Sequence, residues 1–285
     1  MKRNVIVGQS GGPTAAINSS LAGVYRTAKD RGAQKVYGML HGVQGLLEEN
    51  YIDLADHIKT ELDVELLKRT PAAFLGSCRY KLPEIHENRE VYDKIFEILE
   101  KLDIEAFIYI GGNDSMDTIK KLSDYAIITG FSTRFIGCPK TIDNDLALTD
   151  HTPGYGSAAK YIAASTKEVI RDALGLTYHK TMITVIEVMG RNAGWLTGAT
   201  ALAKTEECDG PDLIYLPEIP FDIDKFLKKV QDLLKKKESI IIAVSEGIKL
   251  ADGRYVCELS GGADYVDAFG HKQLQGTAAY LAGYL

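Results

Sequence analysis

Short apolar runs of β character alternate along this chain with longer segments of helical period, and few folds accommodate that alternation. Residues 4–7, 35–40, 106–110, 134–138, 181–188, 213–216 and 239–244 read as strands. Apolar residues at helical spacing cover 14–30, 87–102, 156–174, 193–204, 223–236 and 272–284. Strand, loop and helix in repetition predict mainly parallel sheets with helices on both faces, an α/β class. At 285 residues the chain exceeds the usual single-domain length, so two such domains sharing a cleft are expected. The polar run 143–156, which holds Gly and Pro, is the candidate crossing, and it divides the chain into 1–150 and 151–285.

Ligands in folds of this class bind beyond the carboxyl ends of the strands, so the loops that follow strands carry the information. The first is Gly8-Gln9-Ser10-Gly11-Gly12-Pro13-Thr14. Adjacent glycines let a backbone approach an anion, and the next helix offers N–H groups and a positive dipole end. Its spacing is neither the dinucleotide GxGxxG nor a P-loop. A tight strand-to-helix turn that uses glycine only for packing is the other reading. The second loop, Gly111-Gly112-Asn113-Asp114-Ser115, repeats the placement and adds a carboxylate, although Gly-Gly before an acid is also a common turn. Two such loops at corresponding places favour a phosphate cradle.

The third loop is Pro139-Lys140-Thr141-Ile142-Asp143-Asn144-Asp145. A sugar hydroxyl that attacks phosphorus needs a base for its proton and a divalent ion to screen oxygen charge. Asp143 and Asp145 can divide those tasks, while Lys140 and Thr141 can hold phosphate oxygens. An Asx-turn is the competing reading of the same string. The fourth is Glu187-Val188-Met189-Gly190-Arg191-Asn192, where Arg191 offers a planar donor fork suited to phosphate, or only a solvated strand cap. Ser245-Glu246-Gly247 closes the strand SIIIAV and can bind sugar hydroxyls, and Gly76-Ser77-Cys78-Arg79 places an arginine after the strand-like AAFL.

Composition excludes several alternatives. The net charge is -6 and no Lys/Arg block exceeds Lys235-Lys236-Lys237, which argues against nucleic acid as a partner. The four cysteines, Cys78, Cys138, Cys208 and Cys257, form no CxxC pair, which disfavours a zinc site or disulfide framework and fits a reducing setting. No signal-peptide pattern or membrane-length apolar run is present, so a soluble, cytoplasmic protein is expected.

Taken together and in order, these segments resemble the phosphofructokinase family over nearly the whole chain, with TIDND followed by MGR the specific signature and the preceding GG-[DN]-x-[ST] loop a looser one. The resemblance implies two Rossmann-like three-layer α/β/α domains, with the donor bound by 1–150 and the sugar phosphate by 151–285. It implies that Asp143 deprotonates the 1-hydroxyl of fructose 6-phosphate, that Thr141 contacts the transferred phosphoryl group and that Arg191 also serves catalysis. Met189, Gly190, Arg191 and Glu246 would line the acceptor site together with Thr141 and Asp143. Gly11, Gly12, Arg79, Gly112, Asn113, Asp114, Ser115 and Lys140 would form the donor side. Mg²⁺ is the implied cofactor, held by Asp145 and by position 113, where this chain has Asn and the family usually has Asp.

Family members that use ATP carry glycine where this chain has Asp114 and Lys140, so the pattern implies the pyrophosphate-using type. A carboxylate at 114 would repel the further phosphate of a nucleotide, and an ammonium at 140 could hold pyrophosphate. The expected reaction is reversible phosphoryl transfer from pyrophosphate to fructose 6-phosphate, giving fructose 1,6-bisphosphate. An ATP-dependent 6-phosphofructokinase and a non-catalytic sugar-phosphate-binding regulatory subunit are the alternatives. The resemblance also implies a homodimer or homotetramer. It further implies that the family's acceptor site continues past the position of Leu285, so the chain as written is expected to lack part of that site and to be weakly active or inactive.

Overall fold

In a computed structural model of the protein, which describes residues 4–178, 180–260, 266 and 274–285, the chain divides into two compact units. The first comprises Met1–Thr141 with Thr152–Gly154, and the second Ile142–His151 with Tyr155–Leu285. The expected boundary at 150 therefore differs from the observed division, which falls within the third loop at the Thr141–Ile142 bond.

The first unit contains β1 (Asn4–Gln9), α1 (Ile17–Asp30), β2 (Val36–Met39), α2 (Gly42–Leu47), β3 (Tyr51–Asp53), α3 (Glu61–Arg69), α4 (Arg89–Lys101), β4 (Ile104–Gly111), α5 (Asn113–Thr129) and β5 (Arg134–Pro139). Its strands lie in the order β3-β2-β1-β4-β5, all parallel except β3, which pairs antiparallel with β2. Alternate side chains of β1 and β4 leave the sheet on opposite faces. Ile6, Phe107 and Tyr109 pack with Tyr92, Ile95, Phe96 and Leu99 of α4 and with Leu122 and Tyr125 of α5. Val5, Val7, Ala106 and Ile110 pack with Ile17, Leu21 and Tyr25 of α1 and with Val64 and Leu67 of α3. Burial on both faces is why these strands read as near-continuous apolar runs.

The second unit contains α6 (Tyr155–Gly175), β6 (Met182–Val188), α7 (Trp195–Gly198), β7 (Leu213–Tyr215), α8 (Ile223–Leu234), β8 (Ser239–Ser245) and α9 (Thr277–Ala282). Its parallel sheet has the order β6-β8-β7, and every residue of the central β8 is buried. Ile240, Ile242 and Val244 pack on Phe226 and Val230 of α8 and Leu281 of α9, while Ile241 faces Ile170 and Ala173 of α6. Each unit is thus a helix–sheet–helix sandwich, as expected.

Some local expectations are corrected. The AAFL run is not a strand: Ala72 adopts φ 63, and the segment makes no strand ladder. The helix expected over 193–204 is one short α-turn continued as a 3₁₀ segment, Ala199–Ala203. The helix expected over 272–284 is α9, and its first two expected positions lie outside the described residues. Among the described residues no helix is long and apolar enough to cross a membrane.

Candidate active site

In the first unit the chain leaves β1 for β2 on one side and later returns to place β4 on the other. Strand order therefore reverses at β1, and the loops after β1 and β4 diverge at the carboxyl end of the sheet, where ligands bind in such folds. The loop after β5, the neighbour of β4, emerges at the same end.

Lys140 ties these loops together. Its backbone N–H donates to Gly111 O at 2.9 Å, behind the second loop. Its ammonium donates to Gly12 O at 2.6 Å, on the first, and lies 3.2 Å from where a Cβ on Gly11 would stand. The side chain is only 4% exposed. Burying an ammonium is costly unless it is compensated, and here the main chain of an anion-binding type of loop supplies one partner. Gly12 itself is exposed, and a Cβ there would meet nothing within 4 Å.

Gly112 caps the N-terminus of α5, a helix of 17 residues, with Asn113 and Asp114 in its first turn. Asn113 is exposed, Asp114 half-buried and Ser115 buried, with Ser115 N donating to Gly112 O. The helix dipole favours the Asp114 carboxylate at this end. Arg79 is exposed at the end of the Gly76–Arg79 segment, which reaches the first loop: Gly11 N donates to Cys78 O at 3.1 Å and Ser77 Oγ to Gly11 O at 2.5 Å. Thr141 is half-buried, and its carbonyl accepts from Thr152 Oγ1 at 2.8 Å.

The second unit gathers the other set. β6 and β8 are neighbours in register, Val188 opposite Ser245, so Met189 and Glu246 leave adjacent strand ends. Glu246 N donates to Val188 O at 2.9 Å, Gly190 N to Glu246 Oε1 at 3.3 Å, and Ser245 Oγ to Gly190 O. Two glycines make this close approach possible. Gly190 has φ 144, and a Cβ there would lie 2.6 Å from Ala193 O; a Cβ on Gly247 would lie 2.0 Å from Arg191 O.

Burial pushes the Glu246 carboxyl above its ordinary range, and the Asp143 and Glu187 carboxylates push the same way. The Gly190 N–H and the Arg191 guanidinium oppose that rise. Asp143, Arg191 and Glu246 therefore share one electrostatic environment. Arg191 Nε is buried and makes no hydrogen bond within the protein, which is a position that a ligand acceptor would satisfy. Between the two acids of the third loop, Asn144 is buried at φ 57 and its Nδ2 donates to Asp150 O at 3.2 Å. Asn144 thus fastens the acidic string to Asp150, and the same string brings the Asp143 charge to bear on Glu246.

Gly11, Gly12, Arg79, Gly112, Asn113, Asp114, Ser115, Lys140 and Thr141 belong to the first unit, and Asp143, Asp145, Met189, Gly190, Arg191 and Glu246 to the second. Sequence reasoning gave no role to Gln9, within the first loop, or to Asn18, just after it, both buried carboxamides. A polar residue beside Ile17 on the apolar stripe of α1, with Leu21 and Tyr25, was the available signal. It also missed that Glu187 Oε2 accepts from Ala278 N at 2.8 Å and so anchors the first turn of α9.

The chain is similar to known proteins over most of its length. The pyrophosphate–fructose 6-phosphate 1-phosphotransferase of Xanthomonas campestris pv. campestris (strain B100) is 43% identical over 279 residues, 98% of this chain and 65% of that protein. The sulfofructose kinase of Alkalicoccus urumqiensis is 36% identical over 247 residues, 86% of this chain and 61% of that protein. The crystal structure of a pyrophosphate-dependent phosphofructokinase from Nitrosospira multiformis superposes with a TM-score of 0.80 at 41% identity, over 88% of this chain and 62% of that one. The chain thus spans less than two thirds of the length of each of these relatives. The phosphofructokinase family model matches residues 4–283, and with the relatives at this identity and coverage it establishes that the chain belongs to the phosphofructokinase family.

Proposed function

We propose that this chain carries the phosphoryl-transfer chemistry of a pyrophosphate-dependent 6-phosphofructokinase, moving a phosphoryl group from pyrophosphate to the 1-hydroxyl of fructose 6-phosphate. The observation that carries the reading is Lys140, a buried ammonium bound to the first glycine loop, whose own backbone is bound to the second. A cation held at that place by the fold is suited to a compact, highly charged donor with no nucleoside to anchor it. The Asp114 carboxylate in the first turn of α5 works against a longer phosphate chain. The names of the Xanthomonas and Nitrosospira relatives support the same donor.

In this reading the first unit binds the donor, and the second, which carries Asp143, binds the acceptor. The Asp143 carboxylate takes the proton of the 1-hydroxyl as its oxygen bonds to the terminal phosphorus, and the bond to the bridging oxygen breaks to release orthophosphate. Arg191 supplies donors to the phosphorylated acceptor, and Thr141 contacts the transferred group. Glu246, with its pKa raised by burial, accepts from or donates to sugar hydroxyls. Met189 and Gly190 line the acceptor.

Mg²⁺ fits as an ion that arrives with the donor. Among the described residues no group of three or more His, Cys, Asp or Glu could hold a metal, and Mg²⁺ is commonly held by one or two carboxylates and substrate phosphates. Asp145 supplies such a carboxylate. Asn113, exposed at the positive end of α5, is a weaker candidate, since that end favours anions. When bound, the ion would neutralise charge on the phosphate oxygens. A cytoplasmic homodimer or homotetramer completes the reading.

Initial rates of the full-length protein with fructose 6-phosphate, using pyrophosphate or ATP, test it. Turnover with pyrophosphate is expected. Turnover with ATP alone would favour an ATP-dependent kinase, and turnover with neither would favour a regulatory sugar-phosphate-binding subunit.

A further inference from the structure

Gln9 and Asn18 are 0% and 1% exposed and cannot touch a substrate, yet their carboxamides form a network aimed at the segment that leads to Arg79. Asn18 Nδ2 donates to Thr70 O and Ala72 O, each at 2.8 Å. Asn18 Oδ1 accepts from Phe74 N at 3.0 Å and from Gln9 Nε2 at 2.9 Å. Gln9 Oε1 accepts from Leu75 N at 2.9 Å. Two carbonyls face the Asn18 nitrogen and N–H groups face its oxygen, so only this orientation of the amide pairs every group.

The pinned segment belongs to neither a helix nor a strand, and it contains left-handed residues at Ala72 (φ 63) and Gly76 (φ 70). Backbone groups turned toward the interior without a ladder need side-chain partners, and the buried Gln9 and Asn18 supply them. Phe74 is 39% exposed, so Leu75, 1% exposed, is the apolar anchor of the segment and the carboxamides hold the residues before it. Directly beyond it, Ser77 Oγ and Cys78 O bond the two polar groups of Gly11, next to the Lys140 ammonium.

We propose that Asn18 and Gln9 are positioning residues for the phosphoryl donor: their carboxamides fix residues 70–75 so that the Gly76–Arg79 segment is held against the Gly11 loop. The inference rests on the phosphotransferase reading above. Initial-rate kinetics of the full-length protein test it. Asn18→Ala is expected to raise KM for pyrophosphate roughly tenfold or more, since small misplacements of a binding group are expensive. KM for fructose 6-phosphate should change less than about twofold, and in an Arg79→Ala background Asn18→Ala should add less than about twofold, because coupled residues are not additive. Ser77→Ala, which cuts only the last link, should move the donor KM in the same direction; it carries the kinetic test if Asn18→Ala does not fold.

Equal rises in both KM values, or full additivity with Arg79→Ala, would overturn the proposal. Amide hydrogen exchange separates this outcome from failure of the phosphotransferase reading. Even if neither donor is turned over, residues 70–79 should exchange at least about tenfold faster in Asn18→Ala while β4 and α5 keep their protection. Unchanged exchange there would overturn the positioning role by itself.

Discussion

Replacing Lys140 by methionine separates the charge of this residue from its volume. The side chain is 4% exposed and donates to Gly12 O at 2.6 Å. A unit charge about 4 Å from a phosphate oxygen is worth roughly 4 kcal/mol at an effective dielectric of about 20, and a charge-assisted hydrogen bond about 1.5–3 kcal/mol. Taking about 2–4 kcal/mol as the loss, KM for pyrophosphate should rise roughly 30- to 700-fold. Stability should move the other way. Exchanging a buried charge for an apolar group of similar volume is commonly neutral or stabilising, and Gly12 is exposed, so water can replace the lost donor. The assay is a coupled initial-rate titration of pyrophosphate at saturating fructose 6-phosphate, paired with a urea unfolding curve. A donor KM within about threefold of wild type with an unchanged midpoint would refute the reasoning, because about threefold is well below the loss estimated for one buried charge.

Other residues give sharper single readouts. Asp143→Asn should lower kcat by roughly 10²–10⁴-fold with little change in either KM, the loss expected for a general base; steady-state kinetics would show it. Gly247→Ala places a methyl group 2.0 Å from Arg191 O, so the β6 and β8 ends must part. It should raise KM for fructose 6-phosphate and lower Tm, read by kinetics and calorimetry. Burial raises the Glu246 pKa above its ordinary 4.5, so the folded state holds this proton more tightly than the unfolded one. The associated stability is fully present below about 4.5 and lost as pH rises through the folded value. Relative to wild type, Glu246→Gln should therefore gain Tm as pH is raised from 4.5 into the neutral range.

The layered α/β architecture was legible because strands buried on both faces leave long apolar runs, as in SIIIAV and AFIYI. The short β3 and the helix α3 were not read. Three residues carry no usable period, but the Thr60–Asp63 capping box at the start of α3 was a signal present in the chain. The AAFL run misled because composition alone does not reveal that Asn18 and Gln9 take the backbone groups a neighbouring strand would need. At the site, Lys140, Asp143 and Arg191 stood out by residue type and position. The partner of Glu246 was not legible, since the register that sets Val188 opposite Ser245 joins segments far apart in the chain. The bond from Lys140 to Gly12 was hidden for the same reason.

The lock between the ends of β6 and β8 has a consequence for how this protein can change. Gly190 and Gly247 approach main-chain atoms too closely to take an added Cβ, and Glu246 bonds Gly190 N, but Met189, next to Gly190, is 56% exposed. Its main-chain neighbours are held while its own side chain is exposed. In the proposed reading, where Met189 lines the acceptor, position 189 is where acceptor preference can drift in evolution, or be screened in a library, without loss of the scaffold that presents it.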